Sequence, residues 1–345
     1  MLLRWGIRGC GKISSDFAFA MEVLPAGEHK IVALCTTDAE RGVKFAADHK
    51  MANDAKVYTS PDEFHADENV DVVYVGTLHP QHKAASIEAL KAGKAVLCEK
   101  PLAMNAADTN EMIETARKNK RFFMEAFWSR MFPVYNELRK HLDQNSIGDV
   151  RSVAAEFAPV HVSDNSAPRL ELSDKGGSAL LDIGCYCVMF AIFVFGEPPT
   201  GVHAVAGRKF KTGVDNTGSI VLKFSNDRMA NLFFSFDCVS PGKATVNGTK
   251  GYIEISRPFH APTQLEVFEK VPNQFQLAKI ASLHADLPHS AAPFFFDHSV
   301  GLSYEAAHVR DCVLKGLTES PIMPLHHSEI IADVLEKAKQ QIELQ

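Results

Sequence analysis

Over residues 1–125, short apolar runs alternate with segments of helical period, and this alternation limits the possible folds more than any other feature. Residues 2–9, 29–35, 57–58, 69–75, 94–98 and 121–125 read as strands. Residues 14–24, 39–49, 82–92 and 106–118 lie between them and repeat their apolar positions every three to four residues, as helices do. Strands separated by helices of about ten residues or more cannot pair as hairpins, so they predict a parallel sheet covered on both faces.

Beyond about residue 130 the texture changes. A helix is predicted over 133–144, followed by strand candidates at 150–157, 202–210, 218–224, 229–239 and 245–255. Turn pairs such as Thr212-Gly213, Pro241-Gly242 and Asn247-Gly248 separate them, which points to an antiparallel sheet. A helix at 178–195 interrupts this series, and helices at 303–315 and 328–344 close the chain. Residues 274–296, with Pro288, Pro293 and three adjacent phenylalanines, read as a long packed loop. The expected architecture is α/β: a doubly wound parallel Rossmann sheet, then an α+β domain with a large open, mostly antiparallel sheet. Residues 1–127 would bind a dinucleotide. Residues 128–345 would bind substrate and dimerise, with the C-terminal helices packing back on the first domain.

Bulk properties exclude several classes of function. A formal net charge of −6 argues against a broad nucleic-acid surface, which is normally basic. No apolar run reaches the roughly 18 residues of a membrane span, and residues 188–195 read as core. The N-terminus lacks the long apolar region of a secretory leader. The cysteines number seven, an odd count, without a CxxC pair or a Cys/His cluster of zinc spacing. We therefore expect reduced core thiols, no metal, no membrane partner and a cytoplasmic protein.

Three strand ends carry the chemistry. Gly9-x-Gly11-x-x-Ser14 follows the first strand and opens the first helix. The first glycine allows a tight turn, the second lets backbone approach a pyrophosphate, and the small third residue lets helix pack on strand. Lys12 and Ile13 then begin a helix whose free N–H groups suit phosphates. After the second strand come Thr36, Thr37, Asp38 and Arg41. Asp38 suits the ribose hydroxyls of NAD or a plain helix cap, while the threonines and Arg41 can meet the extra phosphate of NADP. Gly76, Thr77, His79 and His82 end another strand; His79 suits a site or a loop equally, and His82 suits the start of a helix. Glu99 and Lys100 end the next strand, directly before Pro101. Proline holds Lys100 extended. A lysine there can hydrogen-bond a substrate hydroxyl or relay its proton while hydride leaves carbon.

The glycine turn, the segment Gly76 to His82, Glu99-Lys100-Pro101 and the segment Gly176 to Tyr186, taken in this order, resemble the glucose–fructose oxidoreductase/inositol dehydrogenase (Gfo/Idh/MocA) family. The resemblance runs nearly end to end and is strongest to its dimeric dihydrodiol dehydrogenase branch, also described as NADP-dependent D-xylose dehydrogenases. It implies NADP, with NAD as the alternative, and hydride transfer to or from a secondary alcohol carbon of a trans-dihydrodiol or a pyranose. It also implies a homodimer formed through the second-domain sheet. Lys100 and Tyr186 would handle the proton, with Asp182 beside them. Trp128, Phe157 and Phe296 would wall the substrate, and Arg130 would contact cofactor or substrate. Two positions depart from the branch pattern: Thr37 stands where an arginine is usual, and the aromatic wall is interrupted near His260. Two other readings stay open: a dehydrogenase for an inositol, another sugar or a dicarbonyl, and a non-catalytic nucleotide sensor on the same fold.

Overall fold

The computed structural model describes residues 1–51, 54–159 and 168–344. The chain divides into two compact units, Met1–Trp128 with Leu287–Ser328, and Ser129–Asp286 with Glu329–Gln345.

In the first unit, strands β1 (Leu3–Arg8), β2 (His29–Cys35), β3 (Lys56–Tyr58), β4 (Val72–Val75), β5 (Ala95–Cys98) and β6 (Phe123–Glu125) form one sheet in the order β3-β2-β1-β4-β5-β6. Every pairing is parallel. All residues of β4 and β5 are buried, as in a sheet covered on both sides. The order reverses between β1 and β4, which opens a crevice at the carboxyl ends of these strands. Helices α1 (Lys12–Met21), α2 (Ala39–Asp48), α3 (Pro61–Ala66), α4 (His82–Lys91) and α5 (Ala106–Asn119) connect the strands. Side chains of Asp38, Ser60 and Asn105 cap α2, α3 and α5, so local sequence starts these helices. The core is aromatic where α1 meets the sheet: Trp5 meets Phe17 edge-on at 5.2 Å, and Phe17 stacks on Tyr74 at 4.0 Å.

The second unit begins with α6 (Pro133–Asp143) and β7 (Val150–Phe157). After α7 (Cys185–Phe195) come β8 (Gly201–Ala206), β9 (Thr217–Lys223), β10 (Met229–Ser235), β11 (Ala244–Gly248), β12 (Gly251–Ile255), β13 (Gln264–Lys270) and β14 (Leu277–His284). They form an eight-stranded sheet in the order β14-β13-β12-β11-β7-β10-β9-β8. Only β7 and β10 pair in parallel. Strands β9 and β10 alternate buried and less buried residues, so one face makes the core and the other stays open. Every residue of α7 is buried, and α7 packs on β7 and β10. The apolar stretch Ser173–Phe195 meets the length and composition of a membrane span, yet 94% of its apolar window is buried inside the fold. It is a core helix.

Three expectations are corrected. Residues 245–255 form a hairpin, β11 and β12: Asn247 and Gly248 still belong to β11, Asn247 pairing with Tyr252, and the chain reverses at Thr249-Lys250. Residues 274–296 are not all loop: β14 pairs with β13 along Gln264–Lys270, and its exposed apolar residues had hidden an edge strand. The helix expected over 178–195 is regular only from Cys185; Leu180–Gly184 forms a wider π turn. The C-terminal helices are α8 (Leu302–Leu314) and α9 (Leu325–Glu343).

Candidate active site

The glycine turn is shaped by close backbone approach. Gly9 has φ +97°, and a Cβ there would stand 2.9 Å from Thr77 Cγ2 and 3.1 Å from the Gly76 carbonyl oxygen. A side chain would be strained twice, by the left-handed backbone and by the neighbouring strand tip. Gly76 is glycine for a related reason, since its Cβ would lie 2.3 Å from Ser14 Oγ. The small third residue of the motif therefore packs on the end of β4. At Gly11 a Cβ would meet nothing nearer than the Gly76 oxygen at 3.8 Å, so space is open over the start of α1. No side chain caps α1 and no acid lies in its first turn. Two buried hydroxyl oxygens at this turn, Ser14 Oγ and Thr77 Oγ1, have no protein partner. Open space, uncapped N–H groups and orphaned hydroxyls fit the pyrophosphate of a dinucleotide. Lys12 and Ile13 form the first turn of α1.

At the end of β2, the Asp38 carboxylate accepts from Arg41 N at 3.2 Å and so caps α2, the plainer of its two readings. Thr36 is buried and Thr37 exposed. The Arg41 Nε donates to the Cys10 carbonyl at 3.0 Å, which draws its guanidinium across the glycine turn.

The tips of β4 and β5 are joined by His82. Its Nδ1 lies 2.9 Å from the Pro101 oxygen and its Nε2 3.1 Å from the Thr77 oxygen. Burial pushes its pKa down to about 4, against the pull of those carbonyls. A neutral ring carries one N–H, so it donates to one carbonyl and turns a lone pair to the other. His79 is buried in a short turn beside it, the rings 5.6 Å apart. The ladder continues past β5, where Glu99 N donates to the Val75 oxygen at 3.0 Å. Lys100 is the next residue, half-buried, at the carboxyl end of the sheet.

Sequence reasoning missed the groups behind Glu99. The Tyr74 hydroxyl donates to Glu99 Oε1 at 2.6 Å. Glu305 of α8 is fully buried with neither carboxyl oxygen bonded, and burial, then the Glu99 charge, push its pKa up, so it holds its proton. Asp16 of α1 accepts from the backbone N–H groups of Phe295 and Phe296 at 2.8 and 3.0 Å. This fixes the phenylalanine segment on α1, with Lys12 Nζ 5.7 Å from the Phe295 ring centroid. The sequence carried no signal for these groups, since an acid within a helix, such as Asp16 in α1, reads as surface. Trp128 is buried at the end of this unit, and Phe296 remains exposed.

The second unit brings together Phe157, Asp182 and Tyr186. Asp182 lies in the π turn and Tyr186 in the first turn of α7. Such wide turns recur at functional sites. Arg169 Nη2 donates to Asp182 Oδ1 at 3.4 Å. The turn is held from behind by Asp215, whose carboxylate accepts from Leu180 N at 2.7 Å. The Phe157 and Tyr186 rings are 5.7 Å apart, and His260 joins them, 4.1 Å from Phe157 and 5.3 Å from Tyr186. Arg130 is buried against α7, its Nη2 3.5 Å from the Met189 oxygen and its guanidinium 5.5 Å from the Phe193 ring.

Residues 3–127 match the GFO_IDH_MocA profile, described as an oxidoreductase family with an NAD-binding Rossmann fold, and residues 135–254 match the GFO/IDH/MocA C-terminal domain. The chain belongs to the GFO/IDH/MocA oxidoreductase family. Its curated relatives include the trans-1,2-dihydrobenzene-1,2-diol dehydrogenase of Xenopus tropicalis, 46% identical over 99% of this chain and 98% of that protein. The Homo sapiens protein of the same name is 41% identical over 99% and 97%. Among solved structures, a levoglucosan dehydrogenase in complex with NADH and levoglucosan superposes with TM-score 0.85 at 18% identity, covering 99% and 97%. A 3-ketoreductase from Actinomadura kijaniata in complex with NADP and TDP-benzene gives 0.80 at 24%, covering 99% and 98%. At these identities the two structures attest the fold. Family membership makes the first unit an NAD(P)-binding Rossmann domain and the protein an oxidoreductase.

Proposed function

We propose that the protein is an NADP-dependent dehydrogenase acting on a secondary alcohol carbon of a trans-dihydrodiol or of a pyranose such as D-xylose. The observation that carries this reading is the end-to-end identity of 46% to a trans-1,2-dihydrobenzene-1,2-diol dehydrogenase. When bound, the nicotinamide would supply or accept the hydride. Gly9, Gly11, Lys12 and Ile13 would hold the pyrophosphate, and Gly76, Thr77, His79, His82 and Glu99 would shape the wall beside it. Arg41 favours NADP, because Asp38 spends its carboxylate on α2 while the guanidinium lies at the glycine turn. Lys100 would hold the substrate oxygen and lower the cost of its charge. Tyr186 would exchange the proton with that oxygen, as a positioned phenol can. Asp182 would fix a second hydroxyl, and Trp128, Phe157 and Phe296 would supply apolar walls, with Arg130 supporting them.

The open face of the eight-stranded sheet supports a homodimer. Glu156, Ser219, Val221, Asn231, Phe233 and Lys243 line a groove of about 440 Å³ there. Seven cysteines without a disulfide suit a reducing cytoplasm. The test is an absorbance assay of nicotinamide reduction, with NADP and NAD against trans-dihydrodiols, D-xylose, D-glucose, inositols and dicarbonyls. Turnover of a diol or pyranose with NADP is expected. Cofactor binding without turnover of any of these would favour the nucleotide-sensing alternative.

A further inference from the structure

We propose that Phe295 is a cofactor-binding residue: its ring, held beside Lys12 by the buried carboxylate of Asp16, covers the phosphate bridge of the bound dinucleotide from the solvent side. The inference rests on the reading that Gly9, Gly11 and Lys12 hold that bridge, and it adds a residue that lies far outside the glycine motif.

The three adjacent phenylalanines are not equivalent. Phe294 is half-buried against α1, its ring edge-on to Phe19 at 6.1 Å and 77°. Phe295 and Phe296 remain 55% and 47% exposed. A single exposed ring on a loose loop would call for no explanation, but this turn is not loose. Asp16 is fully buried in α1, and its two oxygens accept one bond each, Oδ1 from Phe295 N at 2.8 Å and Oδ2 from Phe296 N at 3.0 Å. Two charge-assisted bonds to consecutive N–H groups fix both peptide planes, and so the direction in which each side chain leaves the backbone. Just beyond, Ser299 and Val300 are buried and the turn Ser299–Gly301 packs on α1. A carboxylate is costly to bury in a helix face unless it is hydrogen-bonded; here the bonds it makes are those that hold the phenylalanine turn.

The held ring stands at the cofactor end of α1. Lys12 is the first residue of the helix and exposed, and its Nζ lies 5.7 Å from the Phe295 ring centroid, within reach of a cation–π attraction. Lys12 and Asp16 are four residues apart, so the cation and the anchor rise from the same face of α1. A dinucleotide in the glycine cradle brings its phosphate charges to this helix start. A ring beside the ammonium there keeps water from the ion pair that the lysine makes with phosphate, and excluding water strengthens that attraction. The ring in turn loses exposed apolar surface when the sugar–phosphate chain lies against it, which favours binding. The dinucleotide is the occupant that suits this ring, because it is the ligand of this unit and Lys12 joins the ring to its cradle.

The experiment measures NADPH affinity by fluorescence titration and NADPH release by stopped-flow displacement, on the full chain and without substrate. Phe295→Ala should weaken binding and quicken release by about 3- to 10-fold each. Its unfolding midpoint should stay at the wild-type value, because the ring is exposed in the free protein. Phe295→Tyr, which keeps the ring, should recover most of the difference. Asp16→Asn, which keeps one acceptor oxygen for two N–H groups, should quicken release in the same direction as Phe295→Ala. A release rate in Phe295→Ala within about twofold of wild type would overturn the proposal. Quicker release in Phe295→Ala but not in a folded Asp16→Asn would overturn the role given to Asp16. Lys12→Ala tests the underlying reading separately. It should weaken NADPH binding roughly tenfold, and by less in a Phe295→Ala background, because the ring acts on that ammonium. If Lys12→Ala alone binds NADPH as wild type does, the phosphate reading fails, while the Phe295 release rate still decides whether the ring meets the cofactor.

Discussion

At Gly9 in the first unit a Cβ would stand 2.9 Å from Thr77, whereas at Gly184 and Gly218 in the second it would meet the ring of Phe234, at 3.0 and 2.6 Å. In the first case glycine lets two stretches of backbone approach and leaves N–H groups facing open space. In the second it makes room for one side chain. The candidate cofactor site is accordingly made of backbone and strand ends, with Arg41 and His82 tying the tips together. The cluster around Tyr186 is made of rings from β7, α7 and the turn at His260, far apart in sequence. A backbone site depends on chain geometry and tolerates many side chains; a ring site depends on the identity of each ring.

The sharpest way to break this contrast is Phe234→Ala. Phe234 is fully buried over both glycines, so its loss should destabilise the protein by about 3–5 kcal/mol, read by denaturant unfolding. A loss under about 1 kcal/mol would mean that the glycines are not there for the ring. Gly9→Ala comes next. It should cost about 1–3 kcal/mol of stability through backbone strain and, beyond that, weaken NADPH binding in a fluorescence titration. Unaltered binding would show that the turn tolerates a side chain.

Acid provides a third probe, since the first unit hides neutral histidines. Burial holds His49 and His65 near pKa 4, with Arg8 also lowering His65. These folded values lie below the unfolded one of about 6.5, so below that pH the unfolded chain takes up protons that the folded unit refuses. Their contribution is complete above about pH 6.5 and is lost as pH falls toward 4. His65→Phe should therefore flatten the pH dependence of unfolding by about 1 kcal/mol between pH 6.5 and 5.5. A curve parallel to wild type would contradict the burial argument. Arg41→Ala should weaken NADP binding roughly tenfold and leave NAD unchanged. Equal loss for both would assign Arg41 to holding the turn alone.

The same contrast explains what the sequence could disclose. The first unit was legible almost element by element, because a parallel sheet needs continuous apolar strands and three of its connecting helices, α2, α3 and α5, carry their own side-chain caps. The glycine turn and Lys100 stand next to the strands that place them. The second unit yielded its antiparallel character but not β14, whose edge residues are exposed, nor the π turn holding Asp182, which has no local signature. His260 drew notice only as an interruption of a resemblance. Its stacking on Phe157 depends on residues more than a hundred positions apart, and periodicity carries no trace of it. The buried carboxyl of Glu305 behind Glu99 was equally invisible, since an acid in a helix reads as surface until its neighbours are known.

Lys100→Met tests the central assignment most directly, by measuring turnover and NADPH affinity on the same preparation. The first unit should still fold and bind cofactor, because its cradle is backbone, with a dissociation constant close to that of wild type. Turnover of the preferred diol or pyranose should fall by about 10²- to 10⁴-fold, the share a positioned proton-handling group supplies. Near-normal turnover, or loss of cofactor binding equal to the loss of turnover, would contradict the account.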